Sequence, residues 1–497
     1  MNIPTRARTR VQHLCCALTF FVLVNPASTA PGFDIGGRWS STQIDGSGLQ
    51  RGDPVTLRWS IVPDGHSYDR SANSNLIQFL DDGWNVAAAQ RTADFTNRPW
   101  FDVISNAYAQ YSRVSSIAMT YVPEQNAAGV STGQFGDIRI GGENLDGTPG
   151  GALADNTYPD GGDMRIDTTR ENDGSVGFYF ASEPGLRNLV IHETGHGVGL
   201  GHAQFVNGSA KAVMEGGLRT DIWGLQFDDV YALNRQYGDP QERGSGNNTY
   251  TTATSLGDFT TTGRTAMGLD ASDSVVNQFD DDWLGIDGRN DADWFKFSVT
   301  GQTFAKLKVT PIGPTYETVQ QGVFNAAAQN DLVLQLFSAT PSLELLTTSD
   351  SGALGAAELI NSQYLSGAGD YYFRVRGKQD LNQFYRIDLL LDDRLPSAGT
   401  SADLNFDGVA TADDWALFVA NASTTFPETT GFDAFKLGDL DLDGDNDYAD
   451  FKFFKTAYEL ANGAGSFAAL TAVPEPATLL LAGVATLMAA VIRRRRG

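Results

Sequence analysis

The sequence predicts a multidomain protein with three folded parts: an α/β domain with a mixed sheet and a long helix, an all-β sandwich, and a small α-helical pair. Three observations predict this order. Apolar residues first recur at both strand and helix spacing and later at strand spacing alone, and finally two Asp-rich loops each precede a short apolar helix. A chain of 497 residues is long enough for three such parts.

The α/β part is predicted at residues 31–245. Alternating apolar residues predict a strand at residues 55–61, and apolar residues at helical spacing predict a helix at residues 100–114. Further alternation predicts strands at residues 117–121 and 138–140. An active-site helix, a loop and a final helix follow.

The segment HETGHGVGLGH, which begins at His192, has the spacing of a zinc site. On a helix, His192 and His196 share one face and Glu193 lies beside them. Gly199 allows the chain to leave the helix, so that His202 returns as a third ligand. Three imidazoles leave one position on zinc for water, from which Glu193 can accept a proton. The chain has only five histidines, which makes a chance arrangement improbable.

This segment resembles the metzincin signature, in which a methionine turn follows the third histidine. Met214 fits that turn, and the segments at residues 146–154 and 225–238 resemble those of the matrixins. The resemblance implies a metalloendopeptidase with one catalytic Zn²⁺ held by His192, His196 and His202. It also implies that Glu193 is the catalytic base and that Met214 packs beneath the ligands.

Two departures from the matrixin pattern concern metals. Asp155 and Arg165 stand where matrixins carry histidines, so a second, structural zinc is not expected. Calcium remains an expectation, because hard cations take carboxylate and carbonyl oxygens. The candidate calcium ligands in this part are Asp137, Asp146 and Asp167, with Asp160 and Asp163 as alternatives.

The second part, residues 246–395, contains short alternating runs separated by Gly and Asp turns, which predict a β-sandwich. The segments at residues 293–297 and 367–372 resemble the pre-peptidase C-terminal domain of secreted bacterial peptidases. Asp287, Asp291 and Asp293, with the acidic run at residues 280–282, are interpreted either as calcium ligands or as a solvated turn.

The third part, residues 401–462, contains two loops with the EF-hand pattern, in which oxygen ligands recur at fixed positions. The predicted calcium ligands are Asp403, Asn405, Asp407, Thr411 and Asp414 in the first loop, and Asp439, Asp441, Asp443, Asp447 and Asp450 in the second. The two loops resemble dockerin type I repeats. The resemblance implies a cohesin-type partner on another protein, and a calcium-stabilised spacer is the alternative.

The two ends of the chain predict export. Basic residues, an apolar run and small residues predict a signal peptide at residues 1–30, which contains both cysteines. Residues 473–497 hold Val-Pro-Glu-Pro, an apolar run and four arginines, and resemble a PEP-CTERM sorting tail. That resemblance implies recognition by a membrane exosortase of a Gram-negative bacterium, with only transient membrane contact. The net charge of −25 excludes nucleic acid as an expected partner.

Two functions follow from these features. The first is an exported zinc-dependent endopeptidase that hydrolyses protein or peptide substrates outside the cell or at its surface or matrix. The alternative is a calcium-dependent surface adhesion or scaffold protein whose peptidase domain is vestigial.

Overall fold

The structure is a computed structural model. It describes residues 35–67, 73–124, 135–320, 322–339, 341–392, 402–405, 409–426, 432–440 and 444–470. The predicted signal peptide and sorting tail therefore lie outside the described residues, as do Asp407, Asp441 and Asp443.

The first part contains a five-stranded mixed sheet, and apolar alternation predicts three of its strands, at residues 55–61, 117–121 and 138–140. The strands are β1 (Ser41–Thr42), β2 (Gly46–Ser47), β3 (Val55–Ile61), β4 (Ile117–Tyr121), β5 (Ile138–Glu143), β6 (Ala154–Asn156) and β7 (Met164–Asp167). The sheet order is β4-β3-β5-β7-β6, and β1 pairs with β2 separately. All neighbours are parallel except β6, which runs antiparallel to β7 at the edge of the sheet.

Five helices accompany this sheet. They are α1 (Leu76–Gly83), α2 (Pro99–Val114), α3 (Phe178–Ala181), α4 (Glu183–Gly197) and α5 (Phe227–Tyr237). The apolar residues that predict α2 are all buried: Trp100, Ile104, Ala107, Tyr111 and Val114. The prediction omitted α1, α3 and the β1–β2 hairpin, all of which are short.

The second part consists of two five-stranded sheets that share one core, which confirms a β-rich part. Its strands are β8 (Thr254–Phe259), β9 (Gly263–Met267), β10 (Gly285–Ile286), β11 (Ala292–Val299), β12 (Thr303–Pro311), β13 (Thr315–Thr318), β14 (Gly322–Asn325), β15 (Leu332–Ser338), β16 (Glu344–Ser349), β17 (Glu358–Leu365), β18 (Gly369–Gly377) and β19 (Gln383–Asp392). One sheet has the order β10-β19-β12-β17 with β9 also paired to β19, and the other has the order β16-β15-β18-β11-β8. Strands β13 and β14 form a hairpin outside both sheets.

The third part contains α6 (Ala412–Ala420), β20 (Thr424–Thr425), α7 (Phe432–Lys436), β21 (Asp445–Asn446), α8 (Tyr448–Asn462) and α9 (Ser466–Leu470). Its apolar core includes Phe418 and Phe454, and Leu390 of the sandwich belongs to the same cluster. The ammonium of Lys306, on β12, donates to the carbonyl of Leu440 at 2.8 Å. The helical part therefore packs against the sandwich.

The described residues contain no helix with the length and apolar character needed to cross a membrane.

Candidate active site

Helix α4 carries His192, Glu193 and His196 and is buried inside the α/β part. Twelve of its fifteen residues are buried, and Pro184 lies in its first turn, where a missing N–H is tolerated. The hydroxyl of Tyr111, on α2, donates to the carbonyl of Ile191 at 2.5 Å. These contacts fix the helix directly before His192.

The chain leaves α4 at Gly199, as the motif predicts. Gly199 has a φ of +97°, and a Cβ at this position would lie 2.0 Å from the carbonyl oxygen of Gly37. A side chain is therefore excluded both by the backbone conformation and by the close approach of the amino-terminal segment. This turn carries His202 back toward the helix.

Hydrogen bonds fix the turn between His196 and His202. Three successive carbonyls, those of residues 197–199, each accept one bond of 2.8 Å from another element. The donors are the indole of Trp39, the hydroxyl of Tyr237 and the backbone N–H of Gly36. The position of His202 therefore depends on α5 and on the amino-terminal segment as well as on the motif.

The three imidazoles converge on one point. Their ring centroids lie 4.9 to 5.3 Å apart, and one ring nitrogen from each lies within 4.8 Å of the other two. The Nδ1 of His192 lies 2.7 Å from the carbonyl of Val213, and that of His196 lies 2.8 Å from the carbonyl of Leu200. Because a carbonyl only accepts, each Nδ1 carries a proton and each Nε2 is left with a lone pair.

Burial also favours the neutral form of His192 and His196. Burial, with a smaller contribution from the neighbouring imidazoles, lowers the pKa of His192 to about 4. Burial lowers the pKa of His196 as well. Neutral imidazole is the form that binds a metal, so the residues present fit a zinc ion with three nitrogen ligands.

Glu193 is the acidic residue of the site. Its side chain is buried, and this burial, with the nearby charge of Asp155, raises its pKa to about 7. Glu193 and the three histidines line the same cleft, whose volume is about 480 Å³. A carboxyl group in this position can exchange a proton with a molecule bound in the cleft.

Met214 packs beneath the ligands, where the resemblance places it. The Met214 side chain is fully buried. A Cβ at residue 195, the position directly before His196, would lie 2.2 Å from the Met214 sulfur, so only glycine fits there. Asp229 fixes the turn: its carboxylate accepts the N–H groups of Val213 at 2.8 Å and Met214 at 3.3 Å.

The edge strand β6 forms one wall of the cleft. Asp155 on β6 lies directly opposite Arg165 on β7, and the guanidinium of Arg165 binds Asp155 and Glu143. An ion pair therefore lies where matrixins would carry two histidines.

The segment after Met214 forms the opposite wall and is tied to α4. The amide of Asn188 donates to the carbonyls of Arg219 at 2.8 Å and Ile222 at 3.1 Å. The guanidinium of Arg187 lies 3.9 Å above the ring of Trp223.

The candidate calcium ligands of the α/β part do not converge. Each carboxylate accepts backbone N–H groups from a different part of the domain. Asp137 accepts those of Gln43 and Arg58, Asp146 those of Thr148 and Ala152, and Asp167 those of Leu145 and Thr169. Asp160 and Asp163 also accept backbone N–H groups. Within the described ranges, only the zinc motif and a group in the third part place ligand atoms from three His, Asp or Glu side chains within 4.8 Å of one another.

That second group is Asp445, Asp447 and Asp450, in the second Asp-rich loop. The sequence predicted Asp447 and Asp450 and omitted Asp445, which occupies the position where an EF-hand uses a backbone carbonyl. Asp450 also accepts the N–H groups of Leu440 at 2.6 Å and Asp447 at 2.7 Å.

The first Asp-rich loop is described only in part. Asp414 accepts the N–H groups of Leu404 at 2.8 Å and Asn405 at 3.0 Å. Asp403 and Asp439, the first residues of the two loops, are both buried.

A cluster of five buried carboxyls lies where the α/β part meets the sandwich. Its members are Asp239, Glu242, Asp287, Asp291 and Asp293, none of them more than 8% exposed. Burial raises the pKa of Asp239 to about 7 and of Asp287 to about 6, and the pKa values of the other three lie well above their usual range. For Asp287, Asp291 and Asp293, the solvated-turn interpretation was wrong.

Several of these buried atoms have no hydrogen-bond partner among the described residues. They are one carboxylate oxygen each of Glu242, Asp291 and Asp293, and both polar side-chain atoms of Asn247. Sequence reasoning missed Asp239, Glu242 and Asn247, because they follow α5 and join the sandwich residues only in the folded chain.

Comparison with known proteins agrees with the site. Residues 82–238 match the family model of the matrixins, and residues 472–496 match the PEP-CTERM protein-sorting motif. The first match assigns a matrixin domain and supports a metallopeptidase, and the second indicates export and surface sorting. No curated protein matches the chain.

One solved structure resembles a portion of the chain. The pre-peptidase C-terminal domain of a collagenase from Bacillus anthracis is 11% identical and covers 28% of this chain and 93% of its own. The TM-score is 0.16, too low to decide the fold of this part.

Proposed function

We propose that the chain is an exported, zinc-dependent endopeptidase that hydrolyses peptide bonds of extracellular proteins. The observation that carries the proposal is the convergence of three imidazoles beside a buried glutamate in one open cleft. The matrixin match and the sorting motif support it.

His192, His196 and His202 would hold zinc through the ring nitrogens that face one another. When bound, Zn²⁺ supplies Lewis-acid chemistry, which polarises a peptide carbonyl and lowers the pKa of water. Glu193 accepts the proton of the attacking water and then donates it to the leaving amine. Its raised pKa, about 7, suits a group that must do both near neutral pH.

Strand β6 would bind the substrate. It ends the sheet, its three residues are partly exposed, and it borders the cleft. An extended peptide can pair with such an edge, so that main-chain hydrogen bonds hold it whatever its sequence. Leu153, Leu189 and Leu218 line the cleft and favour an apolar side chain near the scissile bond.

The ends of the chain would determine its location. The predicted signal peptide directs export, and an exosortase would recognise the sorting tail at the membrane. The protein would then be secreted or remain at the surface or in the matrix of a Gram-negative bacterium. The helical part would bind calcium and either recruit a cohesin-type partner or act as a spacer, and its packing against the sandwich favours the spacer.

Calcium would also bind between the α/β part and the sandwich. Five buried carboxyls, three of which have an oxygen without a hydrogen-bond partner among the described residues, repel one another unless they are protonated or neutralised by a cation. A hard divalent cation accepts carboxylate and amide oxygens, which are the groups present in this cluster.

The test compares the full chain with its Glu193→Gln variant on unfolded casein in the presence of zinc and calcium. The change removes the ionisable group, keeps its shape and leaves the three histidines intact. We expect the variant to retain zinc after dialysis and to lose turnover by about 10³-fold or more. The full chain is used because α5 is buried between the α/β part and the sandwich.

The matched control is Glu183→Gln, which makes the same change at the start of α4, ten residues and about 15 Å away along the helix. It should keep wild-type turnover. Equal, chelator-insensitive turnover by wild type and Glu193→Gln would contradict the proposal. The vestigial-peptidase alternative predicts instead that the wild type loses zinc on dialysis while it still binds calcium.

A further inference from the structure

Helix α5 lies between the α/β part and the sandwich and is buried on all sides. Ten of its eleven residues are buried, which is unusual for a helix at the end of a domain. Its aromatic side chains Phe227 and Tyr231 pack against Phe384 of the sandwich, with ring centroids 5.6 and 5.7 Å apart. The sandwich therefore forms part of the environment of this helix.

The same helix fixes the zinc site through Asp229. The carboxylate of Asp229 accepts the N–H of Val213 at 2.8 Å, and the carbonyl of Val213 lies 2.7 Å from Nδ1 of His192. Two hydrogen bonds thus connect α5 with the first zinc ligand. Any shift of the start of α5 would move both the methionine turn and the ring of His192.

The residue before Asp229 binds the sandwich directly. The hydroxyl of Tyr316, on β13, donates to a carboxylate oxygen of Asp228 at 2.5 Å. Both side chains are buried, at 3% and 1% exposure, so the bond forms away from water, where a bond to a charged acceptor is strong. The Tyr316 ring also packs against Phe205 and Phe227.

The β13–β14 hairpin also holds the segment that follows the third ligand. The N–H of Val319 donates to the carbonyl of Gln204 at 3.1 Å, and Thr318 forms a β-bridge with Phe205. The hydroxyl of Ser209 donates to the carbonyl of Glu317 at 2.7 Å. Gln204 lies two residues after His202, so the hairpin contacts the site from a second side.

We propose that the β13–β14 hairpin of the sandwich is a positioning element of the zinc site, and that Tyr316 is its main positioning residue. The inference rests on the proposed function, because it assigns to the sandwich a role in peptide hydrolysis. The sandwich then acts in forming the active site, in addition to any role as a spacer.

The experiment uses the full chain and the variant Tyr316→Phe, which removes one hydroxyl and keeps the ring. The matched control is Tyr231→Phe, because the Tyr231 hydroxyl also crosses to the sandwich, donating to the carbonyl of Asn382 at 2.6 Å. Both variants lose one buried hydrogen bond between α5 and the sandwich. Only Tyr316→Phe loses the bond to Asp228, the residue next to Asp229.

We expect zinc retention, measured by competition with a chelator, to fall about tenfold in Tyr316→Phe and to stay at the wild-type level in Tyr231→Phe. Removal of an outer group that orients a ligand costs about 10- to 100-fold in metal affinity, and Tyr316 acts through intervening groups. At saturating zinc, kcat should fall while KM stays constant, because the substrate wall β6 is not involved. The melting temperatures of the two zinc-free variants should fall together.

Equal zinc retention in the two variants would overturn the positioning role, even if both melt at lower temperature. That result would leave the proposed function intact, because the wild type would still hydrolyse casein. Conversely, a wild type that binds zinc without cleaving casein would contradict the proposed function, and the zinc competition would still test the hairpin.

Discussion

Asp155 and Arg165 face each other on the antiparallel strands β6 and β7, and both carboxylate oxygens of Asp155 bind the guanidinium of Arg165. The same guanidinium donates to Glu143 on β5 at 3.0 Å. This ion pair joins the edge strand, which borders the cleft, to the rest of the sheet.

The first prediction concerns Arg165→Met. The exposed fractions of the Arg165 and Asp155 side chains are 34% and 49%, so the change should lower the free energy of unfolding by less than about 1 kcal/mol. Because β6 would be held less firmly, KM for a peptide substrate should rise while kcat stays constant. Metal analysis of dialysed protein should give one zinc per chain in wild type and variant.

Arg165→Lys is the control for this prediction. Lysine keeps the charge but not the two parallel hydrogen bonds, so its KM should lie between those of the wild type and Arg165→Met. Two zinc ions per wild-type chain would show that the ion pair has not replaced a structural metal.

The second prediction concerns Gly195→Ala. The added Cβ would lie 2.2 Å from the sulfur of Met214, which must then move out of a fully buried position. Overpacking of this kind costs about 1–3 kcal/mol, and we expect a loss of that size in the free energy of unfolding, with weaker zinc retention. Denaturant unfolding and chelator competition measure the two effects.

Gly217→Ala is the matched control, because no atom lies within 4 Å of a Cβ at that position. It makes the same change in the opposite wall of the cleft. Equal stability losses in the two variants would show that crowding against Met214 is not the cause.

The third prediction concerns Asp450→Asn in the second Asp-rich loop. Asp450 converges with Asp445 and Asp447, so the loss of its charge should lower the calcium affinity of this loop by at least about tenfold. Calorimetric titration of the full chain with Ca²⁺ measures this. Asp413→Asn, the same change at an exposed residue of α6, should leave the titration unchanged, and an unchanged titration of Asp450→Asn would exclude this group as a calcium site.

The zinc motif and the helices and strands that bury one face could be predicted from the sequence. The contacts between the parts of the chain could not. The alternation at residues 55–61 and the helical spacing at residues 100–114 predicted β3 and α2, because burial of one face imposes these periods. Strand β6 has three partly exposed residues and therefore no apolar pattern.

Contacts between distant segments leave no local signal. Tyr316 and Asp228 are separated by 88 residues. Asp228 lies in the matrixin-like segment at residues 225–238, but nothing in that segment identifies Tyr316 as its partner. The burial of Asp287, Asp291 and Asp293 could not be predicted for a similar reason: an acidic turn is usually solvated, and only the packing of the sandwich against residues 239–242 removes this one from water.

The fourth prediction concerns the pH dependence of stability in a chelator. The folded pKa values of the five clustered carboxyls lie above the unfolded value of about 4, reaching about 7 for Asp239 and about 6 for Asp287. At pH values between the unfolded pKa and the folded pKa of a carboxyl, the folded chain binds more protons than the unfolded chain. The free energy of unfolding therefore falls as the pH rises from about 4 to 7. Thermal melting in EDTA at pH 5 and pH 8 measures this loss.

Calcium should reverse the loss at pH 8, because a cation bound by the carboxylates stabilises their charged form. Asp291→Asn removes one buried charge and should reduce both the pH dependence and the calcium effect. Asp281→Asn removes an exposed charge from the same part of the chain and should change neither. If calcium raised the melting temperature of Asp291→Asn as much as that of the wild type, the stabilising cation would have to bind elsewhere, and the cluster would depend on protonation alone.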